Sequence, residues 1–122
     1  MNRNVLFPKE SYQIVAAILQ VHKTLGCGFL EKVYQEALEI EFKSKGIPFE
    51  REKRVNVVYK GSVLDTYYVV DFVCYEKIVV ELKACEEVLS AHVAQVINYL
   101  KVGNFQLGIL ANFMKNLFGL GE

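Results

Sequence analysis

The chain has 122 residues with 14 basic and 14 acidic side chains, a balance that excludes broad electrostatic capture of nucleic acid but not a local basic patch. It is 52% apolar and 12% aromatic, enough for one domain over residues 1–122 with a real core, yet no apolar run approaches the roughly 18 residues that span a bilayer. Residues 1–8 are polar and lack the apolar stretch of a signal peptide, and Cys27, Cys74 and Cys85 are odd in number with no CxxC or Cys/His metal spacing, so free thiols in a reducing cytoplasm are expected.

A first helix is predicted over residues 9–25, where Ile14, Ile18, Val21 and Leu25 recur at helical spacing and Val15, Leu19 and His22 widen the stripe. Gly26-Cys27-Gly28 ends it. No GxxxxGK[ST] or GxGxxG follows a strand, so these glycines are expected to form a turn and not a phosphate loop.

A second helix is predicted over residues 30–45, closed by Gly46 and Pro48. Leu30, Val33, Tyr34, Ala37, Leu38, Ile40 and Phe42 form a wide apolar arc, with Lys32, Glu36, Glu39 and Lys43 outside it. Glu31 falls inside the arc at the helix start. It has two readings: favourable interaction with the helix dipole at a wet end, or an active-site carboxylate. Glu41, also inside the arc, is expected to find a lysine or arginine partner.

Residues 50–59 read as a strand with a charged start (Arg51, Lys53, Arg54) and an apolar end (Val55, Val57, Val58). Lys60-Gly61-Ser62 is a turn signal, and residues 63–75 return as the second strand of a hairpin. Glu76-Lys77 turns the chain again into residues 78–84, giving a three-strand antiparallel meander.

The third strand, Ile78-Val79-Val80-Glu81-Leu82-Lys83-Ala84, is apolar almost throughout and yet carries a carboxylate and an ammonium. Side chains two apart in a strand share a face. Glu81 and Lys83 therefore stand beside each other with Val79, while Ile78, Val80, Leu82 and Ala84 fill the other face. A charge in a buried strand is costly unless it is paired or binds something. The preceding strand, Tyr67-Tyr68-Val69-Val70-Asp71-Phe72-Val73, also holds a single carboxylate. Asp71, Glu81 and Lys83 are expected to converge.

A third helix is predicted over residues 88–102 with Leu89, Val93, Val96, Ile97 and Leu100 as its core face. Beside that face run His92, Gln95 and Tyr99, either as the polar flank of an amphipathic helix or as part of a site. Gly103-Asn104 ends the helix, and residues 105–113 form a last short strand. Leu117, Phe118 and Leu120 in the tail are expected to fray or to dock on a neighbour. The helix between the third and fourth strands implies a parallel crossover, right-handed by default. The class is α/β with a mixed sheet, without repeats, linkers or low-complexity segments.

Two carboxylates on adjacent strands can hold a hard cation such as Mg²⁺, which takes one or two carboxylates, several waters and substrate phosphate. A lysine beside them can orient or deprotonate an attacking water and offset phosphate charge. The competing reading of Glu81 and Lys83 is a buried structural ion pair.

The order of elements, with Asp71 and Glu81-Leu82-Lys83, resembles the core of the PD-(D/E)XK nuclease superfamily. More closely, Gly28-Phe29-Leu30-Glu31-Lys32-Val33-Tyr34 resembles the signature of the GxxExxY protein family. The likeness continues through Gln35-Glu36-Ala37-Leu38, Gly46-Ile47-Pro48, Tyr59-Lys60-Gly61, Val80-Glu81-Leu82-Lys83-Ala84, Gln95-Val96-Ile97-Asn98-Tyr99-Leu100 and Asn112-Phe113, over about residues 12–113.

The resemblance implies a restriction-endonuclease-like αβββαβ core with an additional N-terminal helix. It implies Mg²⁺ (or Mn²⁺) held by Asp71, Glu81 and the Leu82 carbonyl. Lys83 becomes the catalytic lysine, with Glu31 and Gln95 completing the catalytic set and Tyr99, Tyr34 and His22 supporting it. The partner implied is nucleic acid, DNA in the first instance, with no membrane. A homodimer or a larger complex is the further expectation for so small a core. One departure stands out: relatives commonly carry a Gly-Tyr-Arg-like approach to the aspartate, where this chain has Tyr67-Tyr68-Val69. The alternative to a nuclease is a non-catalytic module of the same fold that binds nucleic acid or a protein partner.

Overall fold

A computed structural model describes residues 6–114. Leu117, Phe118 and Leu120 lie outside the described residues. Pro8 opens helix α1 (Pro8–Leu25) at a position where its missing N–H is no loss. Helix α2 (Glu31–Lys45) ends where Gly46 takes φ 71, and the N–H groups of Gly46 and Ile47 donate to the carbonyls of Lys43 and Phe42. That is a Schellman motif, and it needs the left-handed backbone that glycine accepts without strain.

Four strands follow: β1 (Phe49–Tyr59), β2 (Ser62–Cys74), β3 (Ile78–Lys83) and, after helix α3 (Ser90–Gly103), β4 (Leu107–Asn112). β1 and β2 are joined by Lys60 and Gly61, both at positive φ (49 and 83), as the two-residue turn of a twisted hairpin requires. The sheet order is β1-β2-β3-β4. The first three strands are antiparallel and β4 runs parallel to β3. The order and type of all seven elements match the expectation.

The sheet separates two apolar clusters. On one face Ile14, Ala17, Ile18 and Val21 of α1 and Tyr34, Leu38 and Phe42 of α2 pack with Phe72, Ile78, Val80 and Leu82. On the other, Val96 and Tyr99 of α3 pack with Val55, Val70, Val73 and Val79. Val79 thus lies opposite Ile78, Val80 and Leu82, as strand alternation requires. α3 approaches β4 closely at Gly108, where an added Cβ would sit 2.5 Å from a Val96 methyl.

Two helix faces differ from expectation. Of the five residues assigned to the core face of α3, only Val96 is buried; Leu89, Val93 and Ile97 are exposed and Tyr99 is buried instead. The helix is apolar on more than one side, and the side that turns inward packs Val96 and Tyr99 on the sheet, with Tyr99 edge-on to Tyr68. On α2, Leu30, Val33 and Ile40 are exposed, and so is Glu31. The paired carboxylate of α2 is Glu39, 2.7 Å from Arg51 and 3.3 Å from Lys43. Glu41 makes no ion pair among the described residues.

Candidate active site

The site forms where the β2–β3 ladder stops. Cα partners run from Cys74↔Ile78 to Phe72↔Val80 and no further. At the next step both strands of the β1–β2 hairpin exchange faces. Phe49 packs toward α1 and α2 but Val55 toward α3; Phe72 packs toward α1 and α2 but Val70 toward α3. Simple alternation would keep each pair on one face. The exchange falls at Glu52 and Asp71, which stand opposite each other between the pairs Arg51↔Phe72 and Lys53↔Val70. Glu52 has φ 53, an uncommon and strained conformation for a residue with a side chain.

Side chains replace the missing ladder. The Asp71 N–H donates to Glu81 Oε1 at 3.1 Å, and the Leu82 N–H donates to Asp71 Oδ2 at 2.8 Å. The two carboxylates are thereby interlocked through each other's strands. Each keeps a second oxygen with no hydrogen-bond partner among the described residues.

Both carboxyls are pushed above their ordinary range. Burial is the largest cause for Asp71, with the charge of Glu31 adding to it; the Leu82 N–H and the Lys83 charge oppose it. For Glu81, burial and then the charge of Asp71 raise the pKa to about 7, against the Asp71 N–H and Lys83. Desolvation and like charge both favour the protonated form. Lys83 influences both carboxylates, but it makes no ion pair within 4.0 Å among the described residues. A tight Glu81–Lys83 salt bridge is therefore absent from this arrangement.

The end of β3 is held on several sides. Glu31 Oε2 accepts from the Ala84 N–H at 3.2 Å, and the Phe113 N–H donates to the Lys83 carbonyl at 2.8 Å. Asn112 grips Cys85 twice, its Oδ1 accepting from the Cys85 N–H at 3.2 Å and its Nδ2 donating to the Cys85 carbonyl at 2.8 Å. Glu31 thus reaches the site from the exposed start of α2. From the α3 side, Gln95 donates to the Tyr99 hydroxyl at 2.8 Å. Burial and the charge of Glu81 push the Tyr99 phenol up to about 12.

The remaining sequence candidates sit elsewhere. Tyr34 is fully buried; its hydroxyl donates to the Gly26 carbonyl at 2.6 Å and accepts from the Phe29 N–H at 3.2 Å, and its ring stacks on Phe113. It fixes the turn that delivers Glu31. His22 is half-buried near the end of α1, its ring 6.1 Å from that of Phe113.

A cleft of about 290 Å³ opens beside Asp71, lined by Glu31, Lys32, Gln35, Glu52, Val69, Asp71 and Leu82; Glu81, Lys83 and Gln95 are not part of its lining. Sequence reasoning missed Lys32, Gln35 and Glu52. Lys32 and Gln35 look like an ordinary polar helix face and Glu52 like part of a charged strand start; α2 carries the first two to the cleft, and Glu52 joins them at the kink of β1. Lys32 pairs with Glu52 at 2.8 Å.

Among the described residues, no group of three or more His, Cys, Asp and Glu side chains is disposed to hold a metal ion. The donor set is instead two hard carboxylates, each with an oxygen to spare, held together despite mutual repulsion. That fits Mg²⁺ or Mn²⁺, which need one or two carboxylates beside water and phosphate, and it does not fit a soft-metal site.

A mixed sheet that forks at an Asp/Glu pair, with a lysine two residues further along the strand, defines an α/β domain of the nuclease type. The chain belongs to the PD-(D/E)XK nuclease superfamily, whose family profile matches residues 8–119. No curated protein and no solved structure matches it significantly. No helix among the described residues is long and apolar enough to cross a membrane.

Proposed function

We propose that the chain is a Mg²⁺- or Mn²⁺-dependent nuclease that hydrolyses phosphodiester bonds, with DNA as the first substrate to test, and that it belongs to the GxxExxY branch of its superfamily. The observation that carries the reading is the interlock of Asp71 and Glu81 at the strand fork, with both carboxyls raised and the charge of Lys83 acting on both.

Asp71, Glu81 and the Leu82 carbonyl would hold the ion. The bound ion supplies charge neutralisation at phosphorus and acidifies water. Lys83 would orient the attacking water, and its charge would offset that of the phosphate. Glu31 fixes the backbone just beyond Lys83 through the Ala84 N–H. Gln95 is tied to Tyr99, whose phenol feels the charge of Glu81, and positions the substrate end.

The test incubates purified chain with single-stranded and duplex DNA and RNA, with and without Mg²⁺ or Mn²⁺. Metal-dependent cleavage lost in Lys83→Ala is the expected result. Cleavage that survives this substitution, or its absence with every substrate and metal, overturns the reading. A non-catalytic module of the same fold is the second reading, favoured by the zero net charge and by Tyr67-Tyr68-Val69 where relatives carry an arginine before the aspartate. Calorimetry separates the two: the module binds neither ion, with or without nucleic acid.

A further inference from the structure

The cleft is poorly furnished to attract its own substrate. Glu31, Glu52 and Asp71 line it, and the charge of its lining lysine, Lys32, is committed to Glu52 at 2.8 Å. A polyanion gains little from such a surface. With no net charge on the chain, affinity has to come from a specific contact beside the cleft.

The β1–β2 hairpin offers one. Beyond Phe72, β2 pairs only with β1, so the hairpin runs on past the rest of the sheet. Its α3 side is covered: Tyr68 meets Tyr99, and Val55 and Val70 pack there. By alternation, Arg54, Asn56, Tyr67 and Val69 occupy the opposite side. Val69 lines the cleft, and Arg54 is its Cα partner across the ladder. The Arg54 guanidinium lies 3.6 Å over the ring of Tyr67, which is 42% exposed. Arg54 makes no ion pair among the described residues, unlike Lys32, Lys43, Arg51, Lys53 and Lys77. At the hairpin turn Lys60 lies over the exposed ring of Tyr59 at 5.5 Å.

We infer that Arg54 and Tyr67 form a stacking platform for unpaired bases, which leads a single strand of nucleic acid past Val69 to Asp71. The inference rests on the proposed nuclease reading and specifies its substrate. An arginine plane on an aromatic ring binds a base by stacking and a phosphate by charge. In a duplex the base faces are already stacked and closed to it, so the platform selects unpaired nucleotides or frayed ends. The uncommitted cations on this hairpin complement a polyanion, which favours nucleic acid over a second copy of the chain as the occupant.

The test is fluorescence anisotropy without metal, so that cleavage does not intervene. Labelled oligo(dT) and oligo(rU) of about a dozen nucleotides are compared with a duplex of the same length. The parent chain binds the single strands more tightly than the duplex. Tyr67→Ala weakens single-strand binding about tenfold. Arg54→Gln weakens it comparably and flattens its salt dependence, while Arg54→Lys keeps the salt dependence with part of the affinity. All three variants melt with the parent because the residues are exposed.

Equal single-strand affinity in parent and variants, equal preference for duplex, or no binding at all overturns the inference. So does a parent dimer that Tyr67→Ala converts to monomer without change in nucleic-acid affinity. Cleavage by the parent with unaltered binding in Arg54→Gln sinks the platform and keeps the nuclease. Binding lost in Arg54→Gln without cleavage by the parent keeps the platform and sinks the nuclease.

Discussion

Glu81→Gln separates a metal-holding pair from a structural ion pair. The amide is nearly isosteric and its oxygen can still accept the Asp71 N–H, so the substitution mainly removes charge. Folding raises the Glu81 pKa from an ordinary 4.5 to about 7. The folded state therefore binds this proton more tightly than the unfolded chain. The associated stability is fully present below the unfolded pKa and is lost as pH rises through about 7. At about 1.4 kcal/mol per tenfold, the loss amounts to about 3 kcal/mol once the carboxylate is fully ionised. Asp71 is raised in the same sense.

In the absence of metal, Glu81→Gln is accordingly neutral near about pH 4 and stabilising near about pH 8.5, by up to about 3 kcal/mol. For a domain of this size that is a rise of about 10 °C in Tm. Thermal melts of parent and variant in a chelator across this pH range make the comparison. A fall of similar size at the higher pH would refute the reasoning. Removing one partner of a buried ion pair leaves the other uncompensated and costs about 3–5 kcal/mol.

Lys83→Ala lowers metal-dependent cleavage by at least about 100-fold. Because Lys83 holds both carboxyl pKa values down, the variant also moves the pH midpoint of Mn²⁺ binding upward, which calorimetry at several pH values reads. Tyr34→Phe leaves the Gly26 carbonyl and Phe29 N–H without their shared hydroxyl. It costs about 1–2 kcal/mol in denaturant unfolding. Gly108→Ala drives a Cβ to 2.5 Å from Val96; the shift forced on α3 costs about 1–3 kcal/mol, read the same way.

Strand register and turns were the legible part of this chain. Period-two alternation separates Val79, Glu81 and Lys83 from Ile78, Val80 and Leu82, and Lys60-Gly61 announces the hairpin that brings β2 alongside β1. The Glu76-Lys77 turn folds β3 back along β2, and the pairing that ends at Phe72↔Val80 sets Asp71 beside Glu81. The orientation of α3 was not legible, because apolar residues occupy two of its sides and packing of Val96 and Tyr99 on the sheet decides between them. Glu31 was legible as a wet helix start or a site carboxylate, and it is exposed at the start of α2 while its carboxylate accepts from the Ala84 N–H. Nothing local marks the kink at Glu52, a glutamate at φ 53. Hence the recruitment of Glu52 to the cleft could not be read from spacing.

The central claim is that Asp71 and Glu81 hold a divalent ion at the strand fork. A crystal of the chain soaked in Mn²⁺, with anomalous diffraction recorded at the manganese edge, tests it most directly. The account predicts one strong anomalous peak within carboxylate coordination distance, about 2.0–2.2 Å, of both Asp71 and Glu81, and its disappearance in Asp71→Asn. No peak at the fork, or one that persists in that variant, would contradict it.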